Sequence, residues 1–121
     1  MSNAVLNRGN AIQLTDYPLS EEQILDGNPT SRIWINAQSG DKKLTQGVWD
    51  CSAGRFSWEF TWDEFVMILE GEATITPEIG DPFTLCAGDF CHFPLGLKTV
   101  WQVDRYVKKT FTIRTPEPLE L

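Results

Sequence analysis

Turn-forming residues recur along this chain at intervals too short for long helices. The turn segments are DGNP (26–29), SGDK (39–42), SAGR (52–55), EG (70–71), IGDP (79–82), AGD (87–89) and PLG (94–96). The runs between them alternate in polarity, as in EATITP at 72–77 and KTFTIR at 109–114. A period of two is typical of half-buried β-strands. Many short strands separated by Gly/Pro turns predict an all-β sandwich or barrel.

Length and composition favour one compact domain. The chain has 121 residues, of which 41% are hydrophobic, so it can bury a core. The net charge of −7 argues against nucleic acid or an anionic membrane surface as a partner. No apolar run approaches the roughly 18 residues that a membrane span needs, so no membrane partner is expected.

The cysteines and the start of the chain predict a cytoplasmic protein. The three cysteines are Cys51, Cys86 and Cys91, an odd number without a CxxC pair. This pattern argues against a disulfide framework or a structural zinc site and favours reduced thiols. The opening MSNAVLNRGNAIQ lacks the charged and apolar regions of a secretory signal.

The chain is expected to divide into three segments. Residues 1–25 are predicted to form an extended arm or strand with a short helix, residues 26–114 the main domain, and residues 115–121 a loose tail interrupted by prolines. The helix or turn is placed in SEEQILD, 20–26, because Ser20 and Gln23 have capping-box spacing. At most this one short helix is expected.

Two linked motifs suggest the particular kind of β-fold. The first runs from Glu64 over six residues to Gly71, and the second is GDFCHFPLG at 88–96. They resemble the two motifs of the cupin superfamily, whose hairpins belong to a jelly-roll β-barrel with a metal inside. Residues 26–114 resemble more closely the small single-domain cupins of the (S)-ureidoglycine aminohydrolase type. The shared elements are Trp58, DEF at 63–65, ILEG at 68–71, GD at 88–89, FPLG at 93–96 and Trp101. The resemblance also implies a homodimer in which an N-terminal strand joins the partner's sheet.

The metal ligands of this family are mostly missing. A metal-binding cupin has His-x-His before its glutamate and a third histidine after the second motif. In this chain the position of the third histidine is occupied by Thr99. Of the family's metal-ligand positions, only that of the glutamate carries the expected residue, Glu64. Transition metals prefer imidazole, thiolate or several carboxylates. No cofactor is therefore firmly predicted, although Glu64 and Glu59 together could hold a divalent ion such as Mn, Zn, Ni or Fe weakly.

Two alignments of the strand FSWEFTW, 56–62, lead to different pockets. In the first, Trp58 and Phe60 point inward, and an apolar face turned to the interior favours this choice. The second turns Ser57 and Glu59 inward, so that Glu59 faces Glu64 as a second carboxylate. The predicted pocket residues are Trp58, Phe60, Glu64, His92, Thr99 and Trp101, with Glu64 and Glu59 as candidate catalytic groups.

Structural roles for the same residues compete with these assignments. Glu64 could instead cap its hairpin or pair with Lys98 or Arg105. The segment RYVKK, 105–109, is expected on a solvated edge strand. His92, the only histidine, could be a hydrogen-bonded wall residue or assist Glu64.

Three functions are consistent with these observations. The first is binding of a small polar organic molecule in the pocket, stacked on Trp58 or Trp101 and without a histidine metal site. The second is a metal-dependent enzyme related to ureidoglycine aminohydrolase or to a sugar or keto-acid isomerase, with Glu64 as base or ligand. The third is a non-catalytic regulatory or structural dimer.

Overall fold

A computed structural model describes residues 3–121, and almost all of its regular structure is β. The exception is a short 3-10 helix at Gly9–Ala11. The eight strands are β1 (Thr15–Asp16), β2 (Ile24–Gly27), β3 (Ser31–Gln38), β4 (Leu44–Glu59), β5 (Asp63–Pro77), β6 (Phe83–Cys86), β7 (Phe90–Phe93) and β8 (Lys98–Arg114). The all-β prediction with at most one short helix is confirmed. No helix among residues 3–121 is long and apolar enough to cross a membrane.

Three long strands organise a single antiparallel sheet. Its order is β1-β3-β4-β8-β5-β6, with β2 also pairing with β4 and β7 with β5. One half of the sheet holds β1, β3 and β7, and the other holds β2 and β6, while β4, β5 and β8 run through both. The sheet is not closed by strand pairing among these elements.

An irregularity in β4 changes which side chains face the core. Before it, Trp49 and Cys51 are buried, and beyond it Phe56 and Phe60 are buried. The register with β8 shifts by one residue between Ser52 and Gly54, where β8 residues 104–105 lie opposite the single β4 residue Ala53. The core positions of β8 stay odd-numbered across this bulge, whereas those of β4 change from odd to even. This shift turns the aromatic residues after Gly54 toward the core.

The glycine that ends the first motif is required by close backbone packing. Gly71 has φ +72°, and an added Cβ would lie 1.8 Å from the carbonyl oxygen of Tyr106. The left-handed backbone and this contact both exclude a larger side chain. Gly71 therefore permits β5 to stay paired with β8 at the point where the register between the two strands shifts.

Aromatic side chains fill much of the core. Phe60 stacks on Phe93 with ring centroids 4.5 Å apart, and Phe93 lies 5.6 Å from Trp101. Trp101 stacks in turn on Phe56 at 6.0 Å, and Trp49 meets Trp101 edge-on. Because these rings come from β4 and the residue after it, from β7 and from β8, they tie both halves of the sheet together.

Two local predictions are corrected by the structure, and one alternative is decided. The segment 20–26, predicted as a helix or a turn, has a turn at residues 21–23, where Ser20 hydrogen-bonds Gln23. The tail is held, since Leu119 donates its backbone N–H to Lys42 and accepts from Gln38. The segment 105–109 lies in β8, which is a central strand with two partners rather than an edge. The first two residues of the predicted arm lie outside the described residues.

Candidate functional site: an aromatic cavity with a buried ion pair

A cavity of about 430 Å³ lies on the inner face of the sheet. Strands β3, β4, β5 and β8 supply most of its wall. Four tryptophans and three phenylalanines line it, and the main ionisable groups inside are Glu64 and Lys109. These seven aromatic residues are Trp49, Phe56, Trp58, Phe60, Trp62, Trp101 and Phe111, and Tyr17 also lines the cavity. This volume falls in the usual range of small-molecule sites.

Glu64 is buried in the cavity wall at the beginning of β5. Its side chain is 5% exposed, and its Oε1 accepts a hydrogen bond from the indole Nε1 of Trp62 at 3.0 Å. Its Oε2 accepts from the Nζ of Lys109 at 2.5 Å. The predicted partners Lys98 and Arg105 are both exposed, so the pairing partner is a different lysine.

Lys109 is a buried cation held by a carboxylate and two aromatic rings. Its side chain is 8% exposed. Its Nζ lies 4.7 Å from the ring centroid of Trp49 and 4.9 Å from that of Trp101. A ring face attracts a cation, more strongly away from water. The two tryptophans therefore help to hold the ammonium inside the wall beside Glu64.

The hydroxyl of Thr99 organises the wall rather than facing the cavity. Thr99 Oγ1 donates to the backbone carbonyl of Trp58 at 2.8 Å and accepts from Trp101 Nε1 at 3.2 Å. Thr99 is buried but does not line the cavity. It thus fixes the position of Trp58, on the neighbouring strand, and Trp101, two residues away on its own strand.

The structure has the first of the two alignments of the strand at 56–62. Trp58 and Phe60 line the cavity, and Phe60 is held by backbone hydrogen bonds with Gly96, the last residue of the second motif, and with Leu97 after it. Glu59 is exposed on the opposite face of the strand, and Ser57 does not line the cavity. Glu59 is therefore not brought together with Glu64.

His92 lies outside the cavity, on the outer side of β7. Its side chain is 47% exposed and stacks on Phe65 at 4.4 Å. Its Nε2 is 3.4 Å from Asp63. The pKa of Asp63 is lowered, first by the hydrogen bond from the backbone N–H of Leu95 and then by His92. His92 therefore packs at the surface against Phe65 and Asp63 and does not contact Glu64.

The C-terminal segment borders the cavity. Leu119, Glu120 and Leu121 contribute to its lining. Glu120 forms an exposed ion pair with Lys42 at 2.9 Å, which anchors the segment to the β3–β4 turn. Its carboxylate therefore has a cationic partner at the rim and adds little charge to the interior.

The donor atoms of the wall do not fit the metal that the cupin fold commonly holds. The family's histidine positions carry Trp58, Phe60 and Thr99, and the indole and phenyl rings offer no metal ligand. Glu64 is engaged by the Lys109 ammonium, which would repel a cation placed beside it. Within residues 3–121 there is also no group of three or more His, Cys, Asp or Glu side chains arranged to hold a metal.

Sequence reasoning missed Lys109, although its position carried a signal. In β8 the buried odd-numbered positions include Trp101, Val107, Phe111 and Ile113. Lys109 falls in phase with them and therefore belongs to the inner face. A lysine in an apolar series points to a buried partner for its charge, and Glu64 is that partner.

Fold and site together define a cupin whose interior carries an ion pair instead of a metal triad. The chain belongs to the family of EutQ-like cupin domains, whose model matches residues 38–111. No curated protein matches the chain. The narrower likeness to ureidoglycine aminohydrolase-type cupins is not part of this assignment.

Solved structures share the fold at low sequence identity. Ethanolamine utilization protein Q from Salmonella typhimurium LT2 has a TM-score of 0.73 and 19% identity, over 93% of this chain and 85% of that one. The EutQ protein of Clostridium difficile has a TM-score of 0.68 and 17% identity, over 88% and 82%. A protein of unknown function from Pseudomonas syringae pv. tomato DC3000 has a TM-score of 0.77 and 23% identity, over 84% of this chain and only 44% of its own.

Proposed function

We propose that this chain binds a small organic molecule with a polar group in the aromatic cavity, without a firmly held metal. The observation that carries the proposal is the buried Glu64–Lys109 pair in the wall of a cavity of about 430 Å³. Aromatic walls supply apolar contact, and a few polar groups set orientation in such sites. In this proposal Trp58 forms part of the apolar wall, while Glu64 and Lys109 contact the polar group.

Stability alone is a weak reason for burying this pair. Removing two charges from water costs several kcal/mol per ion, and apolar residues of the same volume often stabilise a fold equally well or better. Both partners are over nine-tenths buried, and both border open space. A role in recognising a ligand accounts for charges kept at this position.

The test is a thermal-shift screen of small amides, carboxylic acids, amines and alcohols against the intact chain. A ligand that binds only the folded state raises the melting temperature. Ile33→Trp adds bulk to the cavity wall and should abolish the shift, whereas the matched control Gln46→Trp adds the same side chain at an exposed position outside the lining and should retain it. Equal shifts in the two variants would place binding elsewhere and refute the proposal.

A second candidate is an enzyme related to ureidoglycine aminohydrolase or to a sugar or keto-acid isomerase. The observation in its favour is Glu64, which occupies the motif position and is buried beside the cavity. Metal analysis after growth with Mn, Zn, Ni and Fe is the first test, because stoichiometric metal would favour this candidate. Unchanged turnover in Glu64→Gln would remove Glu64 from the catalytic role.

Association into a homodimer remains a prediction from the family resemblance, and a cytoplasmic location remains a prediction from the cysteine pattern. Sedimentation at several protein concentrations would measure the mass directly. A dimer that gives no thermal shift with any compound in the screen would favour the third candidate, a regulatory or structural protein. A monomer would exclude that candidate in its dimeric form.

A further inference from the structure

We infer that the ligand presents one uncharged polar group able both to donate and to accept hydrogen bonds, such as a primary amide or an alcohol, on a flat apolar body. This inference rests on the proposed function and specifies its ligand. It follows from the charge balance and the hydrogen-bonding capacity of the wall, together with the aromatic lining.

The charged groups inside the cavity cancel. Glu64 and Lys109 contribute one negative and one positive charge, and their contact makes the wall neutral. Glu120 at the rim is exposed and already paired with Lys42. A carboxylate or ammonium ligand would therefore enter without an unmatched counter-charge.

A charged ligand would also disturb the pair it meets. An ammonium drawn to Glu64 would face the Lys109 ammonium, and a carboxylate drawn to Lys109 would face Glu64. In either case one charge is left without a partner in a desolvated site, which is strongly unfavourable. A neutral ligand avoids this conflict.

The pair nevertheless has hydrogen-bonding capacity left. A carboxylate offers about four lone-pair sites, and the hydrogen bonds to Glu64 from Trp62 and Lys109 use two of them. An ammonium has three N–H donors, and Lys109 gives one to Glu64 while its Nζ lies over the rings of Trp49 and Trp101. A group that donates to Glu64 and accepts from Lys109 suits this arrangement.

The rest of the wall favours a flat apolar body. Beyond the pair, the lining is mainly aromatic and aliphatic. Trp58 is only partly buried, so its ring is accessible, whereas Trp101 is 2% exposed and already packed between Phe56 and Lys109. Stacking of a ring or planar group is therefore expected on Trp58 and not on Trp101.

Three compounds with the same phenyl ring and different charge test the inference: benzamide, benzoate and benzylamine. Binding is measured by NMR titration of the intact chain at pH 7. We expect benzamide to bind at least about tenfold more tightly than either charged compound, which corresponds to about 1.4 kcal/mol. Removing one partner of the pair should then shift the binding preference toward the compound whose charge is opposite to that of the remaining partner.

Glu64→Gln leaves the Lys109 ammonium in the wall, so benzoate should become the preferred compound. Lys109→Met leaves the carboxylate, so benzylamine should become preferred. The melting temperature of each variant without ligand checks that it is folded. If Lys109→Met fails to fold, Glu64→Gln is sufficient by itself, because it retains the contacts of the ammonium with both rings.

The outcomes separate this inference from the proposed function. If benzoate or benzylamine binds the unmodified chain as tightly as benzamide, the inference is wrong while cavity binding stands. If the preference in Glu64→Gln does not move toward benzoate, the pair does not select the ligand. If none of the three binds but the screen yields a cavity ligand, a neutral ligand supports the inference and a charged one refutes it. If no compound in the screen binds, the proposed function itself fails.

Discussion

Replacing Lys109 with methionine should cost far more stability than a single lysine usually contributes. Lys109→Met keeps the length and apolar character of the side chain but removes the ammonium from Glu64. The carboxylate, 5% exposed, is then left in the wall with only the Trp62 indole as donor. Removing one partner of a buried pair costs about 3–5 kcal/mol. We expect about 3 kcal/mol, at the lower end, because that indole hydrogen bond remains.

The double variant distinguishes a stranded charge from lost packing. Glu64→Gln/Lys109→Met removes both charges at nearly constant volume and should lie within about 1 kcal/mol of the unmodified chain. The two single substitutions should therefore be non-additive by about 2 kcal/mol or more.

Urea denaturation of the four proteins at pH 7 measures these free energies of unfolding. The control is Lys108→Met, a neighbouring lysine on the outer face of β8, which should change the free energy of unfolding by less than about 0.5 kcal/mol. If Lys109→Met lowers the free energy of unfolding by less than about 1 kcal/mol, the burial of this pair is refuted. It is also refuted if the effects of Glu64→Gln and Lys109→Met on that free energy are additive.

Four further predictions concern other parts of the fold. Gly71→Ala should lower the free energy of unfolding, measured in urea, by more than about 2 kcal/mol, because the left-handed backbone and the carbonyl oxygen 1.8 Å from the new Cβ both oppose it. The control Gly88→Ala has φ +94° but open space around the new Cβ, so it should lower the free energy of unfolding by only about 1–2 kcal/mol. Iodoacetamide followed by mass spectrometry should modify exposed Cys86 in the native chain and buried Cys51 only after unfolding. Since burial raises the pKa of Cys51 from about 9 to about 12, its contribution to stability is complete below pH 9 and should be lost as the pH rises toward 12. Glu59→Gln should leave both stability and ligand-induced thermal shifts unchanged within error, and an altered shift would show that Glu59 contributes to the site.

The sequence alone was sufficient for the fold class. Turn residues at short intervals and alternating runs such as 109–114 carry local information, because each strand's polarity pattern reflects its own two faces. The motif from Glu64 to Gly71 likewise lies within one strand and the close packing beside it. The cupin resemblance could therefore be seen before any tertiary contact was known.

The contents of the site depended on tertiary structure. The register shift at Gly54 decides that Trp58 faces the cavity while Glu59 faces away. Lys109 meets Glu64, 45 residues earlier, because β8 lies between β4 and β5. A period of two says which residues share a face within one strand, but strand order and bulges decide which faces meet. The partner of a buried charge is for this reason a non-local property, and only the tertiary structure revealed it.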